Sequence, residues 1–448
     1  MTLGAINAYI DGLRARVFHF FSRARHWRHR LFLFLAVIGP GIITSNVDND
    51  AGGIATYTSA GSAYGYALLW SLIPMTIALY VTMEMCARMG VITGKGLSDL
   101  IREEFGLRPT FFVMVTGFLV DLFNVVAEFA GVAAAGQIFG LNKYVTVPLA
   151  AIIVWILVLR GTYRFVEVVF LVLCSFYLSY LFSALLAHPD WVLAAKMTVI
   201  PSGHMDASYL LLLTALVGTT IAPWQFFYLQ AGFVEKKVGP RQYPQAKLDV
   251  LIGSISCMVI VFFIIVCTAA TLHAAGLTNI TDAAEAAKAL MPLVGRWAGQ
   301  KAGMWAGYAF AFGLLNASLF AATILPLSTA HVICEGLGFE AGLDHKFKEA
   351  PAFYWLYTIL IVVGGGIVLL PNAPLWKIFI FSQVGNGIWL PIVVIFILLL
   401  INRKDLMGEH TNTVLFNIIA WVTAVAMILL TLVLVGQALY QSFHPPAT

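Results

Sequence analysis

Charged residues are scarce in this chain: Asp, Glu, Lys and Arg make up 11% of the 448 residues, whereas 60% are hydrophobic. The mean hydropathy of +0.88 excludes a soluble fold, because the polar residues are too few to cover such an apolar chain. Apolar stretches of about 20 residues recur, the length with which an α-helix crosses a bilayer. The short alternating segments of a transmembrane barrel are absent. The sequence therefore predicts an all-α polytopic membrane protein whose main partner is the lipid bilayer.

Cysteine is also scarce, and its placement excludes two kinds of site. The cysteines show neither CxxC nor other ligand spacing, so we expect no disulfide framework and no zinc site; they are Cys86, Cys174, Cys257, Cys267 and Cys334. Enzyme motifs such as HExxH and GxSxG do not occur either. We expect a protein that is not an enzyme, uses no cofactor, and binds neither nucleic acid nor an obligate protein partner.

Hydropathy and turn residues predict about eleven transmembrane helices. The predicted spans are 32–62, 65–87, 109–140, 145–160, 164–187, 208–234, 248–275, 302–333, 352–371, 374–402 and 413–440. With a cytoplasmic N-terminus, 20 of the 26 Lys and Arg residues fall on the inner side, as the positive-inside rule requires. The odd number of spans then places the C-terminus outside. We expect residues 1–31 to form a basic cytoplasmic segment rather than a cleaved signal. The expected location of the protein is the plasma (inner) membrane of a prokaryote.

Two predicted helices are interrupted near mid-membrane. Residues 45–53 of span 1 have low helix propensity and include Asp48 and Asp50, and residues 218–224 of span 6 include Pro223. An Asp at mid-membrane costs about 2.5–3.5 kcal/mol, so this pair requires a cation, a partner or water. Paired breaks five spans apart are typical of a LeuT-like 5+5 inverted repeat with its site near the midplane. The predicted units are repeats 32–187 and 208–402, followed by an additional helix at 413–440.

Several motifs resemble the Nramp family of divalent-metal transporters. They are Gly39-Pro40-Gly41, Asp50-Ala51-Gly52-Gly53-Ile54-Ala55-Thr56, Tyr64-Gly65-Tyr66, Leu68-Leu69-Trp70, Ser382-Gln383-Val384, Leu390-Pro391 and Leu406-Met407-Gly408-Glu409. The resemblance runs from about Gly39 to Met427 and implies a metal site where helices 1 and 6 are broken.

The departures from the family pattern concern the metal ligands. The family's Asp-Pro-Gly-Asn is replaced by a sequence that keeps Asp50 but has Gly53 in place of the Asn ligand. The family's Met-Pro-His is replaced by Ala222-Pro223-Trp224, which removes a metal-binding thioether and a histidine linked to proton movement. A second family histidine aligns with Gln230. Thioethers favour transition ions, whereas oxygen ligands and water suit Mg²⁺, Ca²⁺ and Mn²⁺. We also expect Gly53 to leave room for a hydrated ion such as Mg²⁺, which dehydrates reluctantly.

Asp50 is the first predicted metal ligand, with nearby oxygens completing the set. The predicted set is Asp50, Asp48, Asn49, the carbonyls of Val47 and Thr219, Thr220 and Gln383, with Gly53 and Ala222 setting the room and the softness of the site. Asp48 could instead be a capping or pore-mouth carboxylate, and Gln383 could instead bond unwound backbone. Asp121 and Glu128 fall near the region where acids of family helix 3 pass protons, but their register stays open.

The pattern is similar to the Nramp-related magnesium transporters. It predicts uptake of divalent cations, chiefly Mg²⁺ and also Mn²⁺, as substrates and without proton coupling, since Trp224 and Gln230 replace titratable imidazoles. One alternative is a proton-coupled Mn²⁺/Fe²⁺ symporter of the main Nramp type. Another, from a different class, is an amino-acid/cation symporter of the LeuT type.

Overall fold

The computed structural model describes residues 39–161, 163–201, 206–280, 291, 295, 299–371, 373 and 375–443. The predicted segment 1–31 and the first residues of span 1 lie outside this part of the chain. The described secondary structure is helical: α1 (Pro40–Val47), α2 (Ala51–Tyr64), α3 (Leu72–Thr93), α4 (Leu97–Phe105), α5 (Leu107–Ile138), α6 (Lys143–Arg160), α7 (Tyr163–Phe176), α8 (Leu178–Leu186), α9 (Trp191–Val199), α10 (Ala207–Thr220), α11 (Pro223–Glu235), α12 (Tyr243–Thr268), α13 (Gln300–Leu337), α14 (Pro351–Leu369), α15 (Leu375–Ile401), α16 (Lys404–Met407) and α17 (Val414–Phe443).

Ten helical stretches within the described residues are long and apolar enough to cross a membrane. They correspond to predicted spans 2 to 11, and the pair α1 and α2 forms span 1. The predicted all-α polytopic fold with two broken helices is thus confirmed. The ends of the helices differ from the prediction, since α3 runs on to Thr93 and α13 to Leu337. Three short helices that hydropathy did not predict, α4, α9 and α16, lie in the connections between spans.

The break between α1 and α2 follows from the capping preferences of Asp and Asn. The chain leaves the helix at Asp48, and Asp50 has an extended backbone with φ −72° and ψ −179°. Its carboxylate accepts a 2.5 Å hydrogen bond from the Gly53 N–H, as the N-cap residue of a new helix does. The helix therefore stops and restarts within three residues.

The break between α10 and α11 is built differently, around a proline. Ile221 leaves the helical region with φ −124° and ψ 63°, and Ala222 is extended. Pro223 then occupies the first turn of α11, where its missing N–H costs nothing and its fixed φ suits the helix. Helix α2 packs against α5, α10, α12, α13 and α15, so the break in span 1 lies inside the bundle.

The start of α1 is held against α12 by a carboxylate and by glycines. Asp249 accepts hydrogen bonds from the backbone N–H groups of Gly39 (3.2 Å), Gly41 (2.7 Å) and Ile42 (3.3 Å). A Cβ added to Gly41 would lie 2.6 Å from the backbone nitrogen of Val250, so only glycine allows this approach. Asp249 thus satisfies helix-start donors that would otherwise be buried without acceptors.

Asp249→Ala is therefore expected to destabilise the protein by about 2–4 kcal/mol, because it removes a carboxyl acceptor shared by three backbone N–H groups. Thermal unfolding of the purified protein in detergent measures the effect. The control is Asp405→Ala, which removes an exposed carboxylate and should leave the transition in place. Equal shifts in both variants would contradict the capping role of Asp249.

Candidate metal site

Oxygen atoms from both broken helices converge on Gly53. A Cβ added to this residue would lie 2.6 Å from the carbonyl oxygen of Asp48, 2.9 Å from Oγ1 of Thr219 and 3.1 Å from Oδ1 of Asp50. The two gaps, predicted from separate parts of the chain, therefore face one another. All three of these nearest atoms are oxygens, so Gly53 lies where acceptors of both broken helices meet.

The two aspartates of the gap are buried without a basic partner. Asp48 is 0% exposed and Asp50 is 3% exposed, so neither points into lipid. Within the described residues, neither forms an ion pair with Lys or Arg. Both carboxylate oxygens of Asp48 lack a hydrogen bond of ordinary geometry, although the Gln225 side chain faces this carboxylate. Such a group strongly favours a nearby cation.

Further buried oxygens near the gaps also lack hydrogen bonds. Together with Asp48 Oδ1 and Oδ2, the set comprises Asn49 Oδ1, Thr219 Oγ1, Gln225 Oε1 and Glu128 Oε1. Buried polar atoms are almost always satisfied in folded proteins, so a local cluster of unsatisfied oxygens requires an explanation. A cation is the partner that acceptor oxygens can share.

Glu128 belongs to this site, although its register was left open from the sequence. Its Oε2 accepts a 3.1 Å hydrogen bond from the Ala51 N–H at the start of α2, and its side chain interacts with that of Asp50. Asp121 lies on the same helix seven residues earlier, a spacing that puts both acids on one helix face. The structure brings only Glu128 to the gap, since Asp121 contacts Thr329 instead. Gln225 was also missed, because a buried glutamine near a proline break carries no distinctive sequence signal.

The remaining predicted residues take different positions around the gap. Val47 ends α1, so its carbonyl lies where a helix leaves acceptors unpaired. Thr220 ends α10, and its carbonyl accepts a 3.4 Å hydrogen bond from Nε2 of Gln225. The Thr220 hydroxyl is already used, since it donates to the Leu216 carbonyl at 2.6 Å. Asn49 donates from Nδ2 to Sγ of Cys257 at 3.5 Å, which leaves its oxygen free. Ala222 is the buried N-cap residue of α11.

Gln383 lies against the start of α2, but with its nitrogen foremost. A Cβ added to Gly52 would lie 2.0 Å from Nε2 of Gln383 and 3.4 Å from Oδ1 of Asp50. The oxygen of Gln383 instead accepts a 3.0 Å hydrogen bond from Nδ2 of Asn386. The predicted oxygen donor thus presents an amide N–H₂ group to the gap.

The donor set differs from that of a structural metal site. The described residues contain no group of three or more His, Cys, Asp or Glu side chains placed to hold a metal ion together. The gap instead gathers the carboxylates of Asp48, Asp50 and Glu128 with hydroxyl, amide and carbonyl oxygens. Such a set suits a hard cation that keeps part of its water.

Residues 41–437 match the family described as natural resistance-associated macrophage protein-like, abbreviated Nramp. The chain belongs to the Nramp family. The divalent metal cation transporter MntH of Deinococcus radiodurans is 27% identical to this Nramp chain over 408 residues, covering 88% of each protein. The manganese transporter of Eremococcus coleocola has the same fold, with a TM-score of 0.78 at 21% identity over 93% of this chain and 89% of that one. MhsT in complex with L-phenylalanine shares the fold more distantly, with a TM-score of 0.57 at 15% identity over 90% and 98%.

Trp224 and Gln230, which replace histidines of the Nramp family pattern, are both buried in the bundle. Trp224 is buried, and its carbonyl accepts a 2.9 Å hydrogen bond from Oγ of Ser328. Gln230 donates from Nε2 to the carbonyl of Lys95 at 2.9 Å, which ties α11 to the segment between α3 and α4. Neither side chain titrates, so neither can take up and release a proton in passing.

Proposed function

We propose that this Nramp protein transports divalent metal cations across the plasma membrane, chiefly Mg²⁺ and also Mn²⁺, by uptake into the cell. The ion binds where the gap between α1 and α2 faces the gap between α10 and α11. Asp50 is the central ligand, Asp48 and Glu128 supply further negative charge, and the carbonyls of Val47 and Thr219 complete the oxygen shell. The metal is the transported substrate rather than a resident cofactor.

The cluster of buried oxygens without hydrogen bonds supports this proposal most directly. Asp48, Asn49, Thr219, Gln225 and Glu128 all contribute such oxygens, and they come from three separate spans. A divalent ion could be shared by several of them directly or through its waters.

The preference for Mg²⁺ follows from what the site lacks. Ala222 places a methyl group where the family pattern has a thioether, so the break before α11 lacks the soft ligand that favours transition ions over abundant hard ones. Carboxylate, hydroxyl and carbonyl oxygens bind Mg²⁺ and Mn²⁺ alike. Mg²⁺ is then favoured by its reluctance to dehydrate, since the oxygens around Gly53 can hold its waters by hydrogen bonds.

Transport is proposed to be driven by the membrane potential without protons. A divalent ion entering a cell gains about 4.6 kcal/mol at 100 mV inside negative, from about 2.3 kcal/mol per charge. Trp224 and Gln230 stand where the family pattern has imidazoles, and neither carries a titratable proton. Ion entry alone therefore suffices as the driving step.

Proteoliposomes that contain a pH-sensitive dye and hold an inside-negative potential test the absence of coupling. Adding Mg²⁺ or Mn²⁺ outside is expected to produce metal uptake with no acidification inside. Empty liposomes under the same potential correct for proton leak. Acidification that rises with metal concentration and requires the protein would refute uncoupled transport.

A proton-coupled Mn²⁺/Fe²⁺ symporter is the second candidate, and the buried acids of α5 favour it. Glu128 contacts the gap, and Asp121 lies two turns away on the same helix, so two buried carboxyl groups on one face of α5 provide a route for protons. Competition separates the two functions: a large excess of Mg²⁺ is expected to block Mn²⁺ uptake here, whereas a proton-coupled symporter selective for soft ions would ignore it.

An amino-acid/cation symporter fits the site less well. Asp48 and Asp50 fill the gap of α1 and α2 with negative charge, and a substrate carboxylate bound there would be repelled. We also propose that the N-terminus is cytoplasmic and the C-terminus is outside, because this orientation puts most Lys and Arg residues on the inner side.

A further inference from the structure

A chain of buried hydrogen bonds leads from Gln383 on α15 to Asp121 on α5. Nδ2 of Asn386 donates to Oε1 of Gln383 at 3.0 Å and to Oδ1 of Asn124 at 3.2 Å. Nδ2 of Asn124 donates in turn to Oδ1 of Asn386 at 3.1 Å and to Oδ1 of Asp121 at 3.4 Å. All four side chains are buried, so each bond depends on its partner in the chain.

Asp121 determines which way this chain of bonds runs. The Thr329 hydroxyl shares its one proton between the second oxygen, Oδ2, at 2.8 Å and the Leu325 carbonyl at 3.1 Å. A carboxylate can only accept, and Asn124 must therefore turn its N–H₂ group toward Asp121. The opposite orientation would bring two oxygens together.

The orientation passes along the two asparagines to the metal gap. Because Asn124 and Asn386 face each other through two reciprocal bonds, the direction of the first amide sets that of the second. The second N–H of Asn386 Nδ2 then points at Gln383, whose Oε1 must accept it. The nitrogen of Gln383 then lies against Gly52, where it also donates to Oγ of Ser382 at 3.3 Å.

We propose that Asp121 is a positioning residue that acts through Asn124 and Asn386 to keep the Gln383 amide nitrogen, and not its oxygen, directed at the metal gap. This inference rests on the proposed function and specifies its selectivity. An N–H₂ group cannot ligate a cation, but it can donate to a carboxylate or to a water on the ion. The arrangement withholds one protein oxygen, so the ion keeps a water in that direction. Mg²⁺ tolerates this better than Mn²⁺.

Two substitutions invert the chain of bonds while changing the charge in opposite senses. Asp121→Asn removes a negative charge and supplies an N–H₂ group, which allows Asn124 and the rest of the chain to turn over. Asn386→Asp adds a negative charge and removes the donor to Gln383, so that Gln383 must donate from Nε2 and direct Oε1 at the gap. A purely electrostatic effect would move cation affinity in opposite directions in these variants.

The measurement is the ratio of KM for Mg²⁺ to KM for Mn²⁺ in proteoliposomes. Both variants are expected to raise this ratio in favour of Mn²⁺, by about fivefold for Asn386→Asp, the size of one polar interaction, and by less for Asp121→Asn. Thr329→Val is the control, because it removes a contact to Asp121 without entering the chain of bonds. Its ratio should equal that of the unmodified protein even if its rate falls.

An unchanged ratio in both variants, or shifts of opposite sign, would overturn the positioning role of Asp121. If a folded variant does not transport, calorimetric titration with Mg²⁺ and with Mn²⁺ gives the same ratio from binding. Failure of the unmodified protein to carry either ion would instead refute the proposed function, so the two failures are distinguishable.

Discussion

Asp50→Ala is expected to abolish uptake of Mg²⁺ and of Mn²⁺, with a loss on the order of 100-fold or more in kcat/KM. Asp50 has two roles that alanine cannot take over. Its carboxylate caps α2 by accepting from the Gly53 N–H, and its Oδ1 is one of the oxygens that converge on Gly53. Removing it leaves Asp48 and Glu128 without the central ligand of the proposed site. Radioactive or dye-based uptake into proteoliposomes, with the amount of inserted protein measured, gives the result.

Asp50→Asn separates these two roles. Asparagine is an equally good helix N-cap, so α2 should keep its start, while the charge that binds a divalent ion is lost. We expect Asp50→Asn to be as inactive as Asp50→Ala but more stable to heat. Glu409→Ala, which removes an exposed carboxylate outside the site, should transport normally. Substantial Mg²⁺ uptake by Asp50→Asn would show that the carboxylate is not the essential ligand.

Ala222→Met is expected to shift selectivity toward soft ions. Ala222 is buried at the start of α11, in the break that faces the aspartates, so a longer side chain there reaches toward the gap. A thioether adds a ligand that Mn²⁺ and Cd²⁺ accept and Mg²⁺ does not. The ratio of kcat/KM for Mn²⁺ to that for Mg²⁺ should rise about tenfold, which corresponds to about 1.4 kcal/mol.

The control for this substitution is Ala222→Leu, which adds similar volume without sulfur. We expect it to lower uptake of both ions equally, because it fills space without supplying a ligand. Size-exclusion chromatography in detergent shows whether each variant remains folded and monodisperse. If leucine changed selectivity as much as methionine, the shift would be due to volume, and the argument from thioether softness would fail.

The architecture could be predicted largely from sequence because lipid imposes simple length and hydropathy rules. The ten long stretches and the two breaks lie where apolar runs and interruptions placed them. Helices α4, α9 and α16 escaped prediction, since short amphipathic or interfacial helices lack a long apolar run. The pairing of the two gaps followed from the resemblance and the repeat pattern, and the approach of Thr219 to Gly53 agrees with it.

The candidate site was predicted only in part. Residues 47–50 lie together because they are adjacent in the chain, and backbone connectivity alone guarantees it. Glu128 and Gln225 reach the gap from other spans, and their arrival depends on helix rotation that hydropathy does not specify. The room that Gly53 is expected to leave for a hydrated ion stays a prediction, because it depends on how closely the two broken helices approach each other.

What the sequence by itself determined is a polytopic helical protein with acidic and proline breaks in two spans, since these features depend on composition and local backbone preference. What only the tertiary structure decided is which atoms face the gap. Gln383 illustrates the difference. Its motif predicted a position near the site, but its nitrogen faces Gly52 because its oxygen accepts a hydrogen bond from Asn386. The direction of an amide depends on its partners across the bundle, and these lie 262 positions away in the chain for the Asn386 and Asn124 pair.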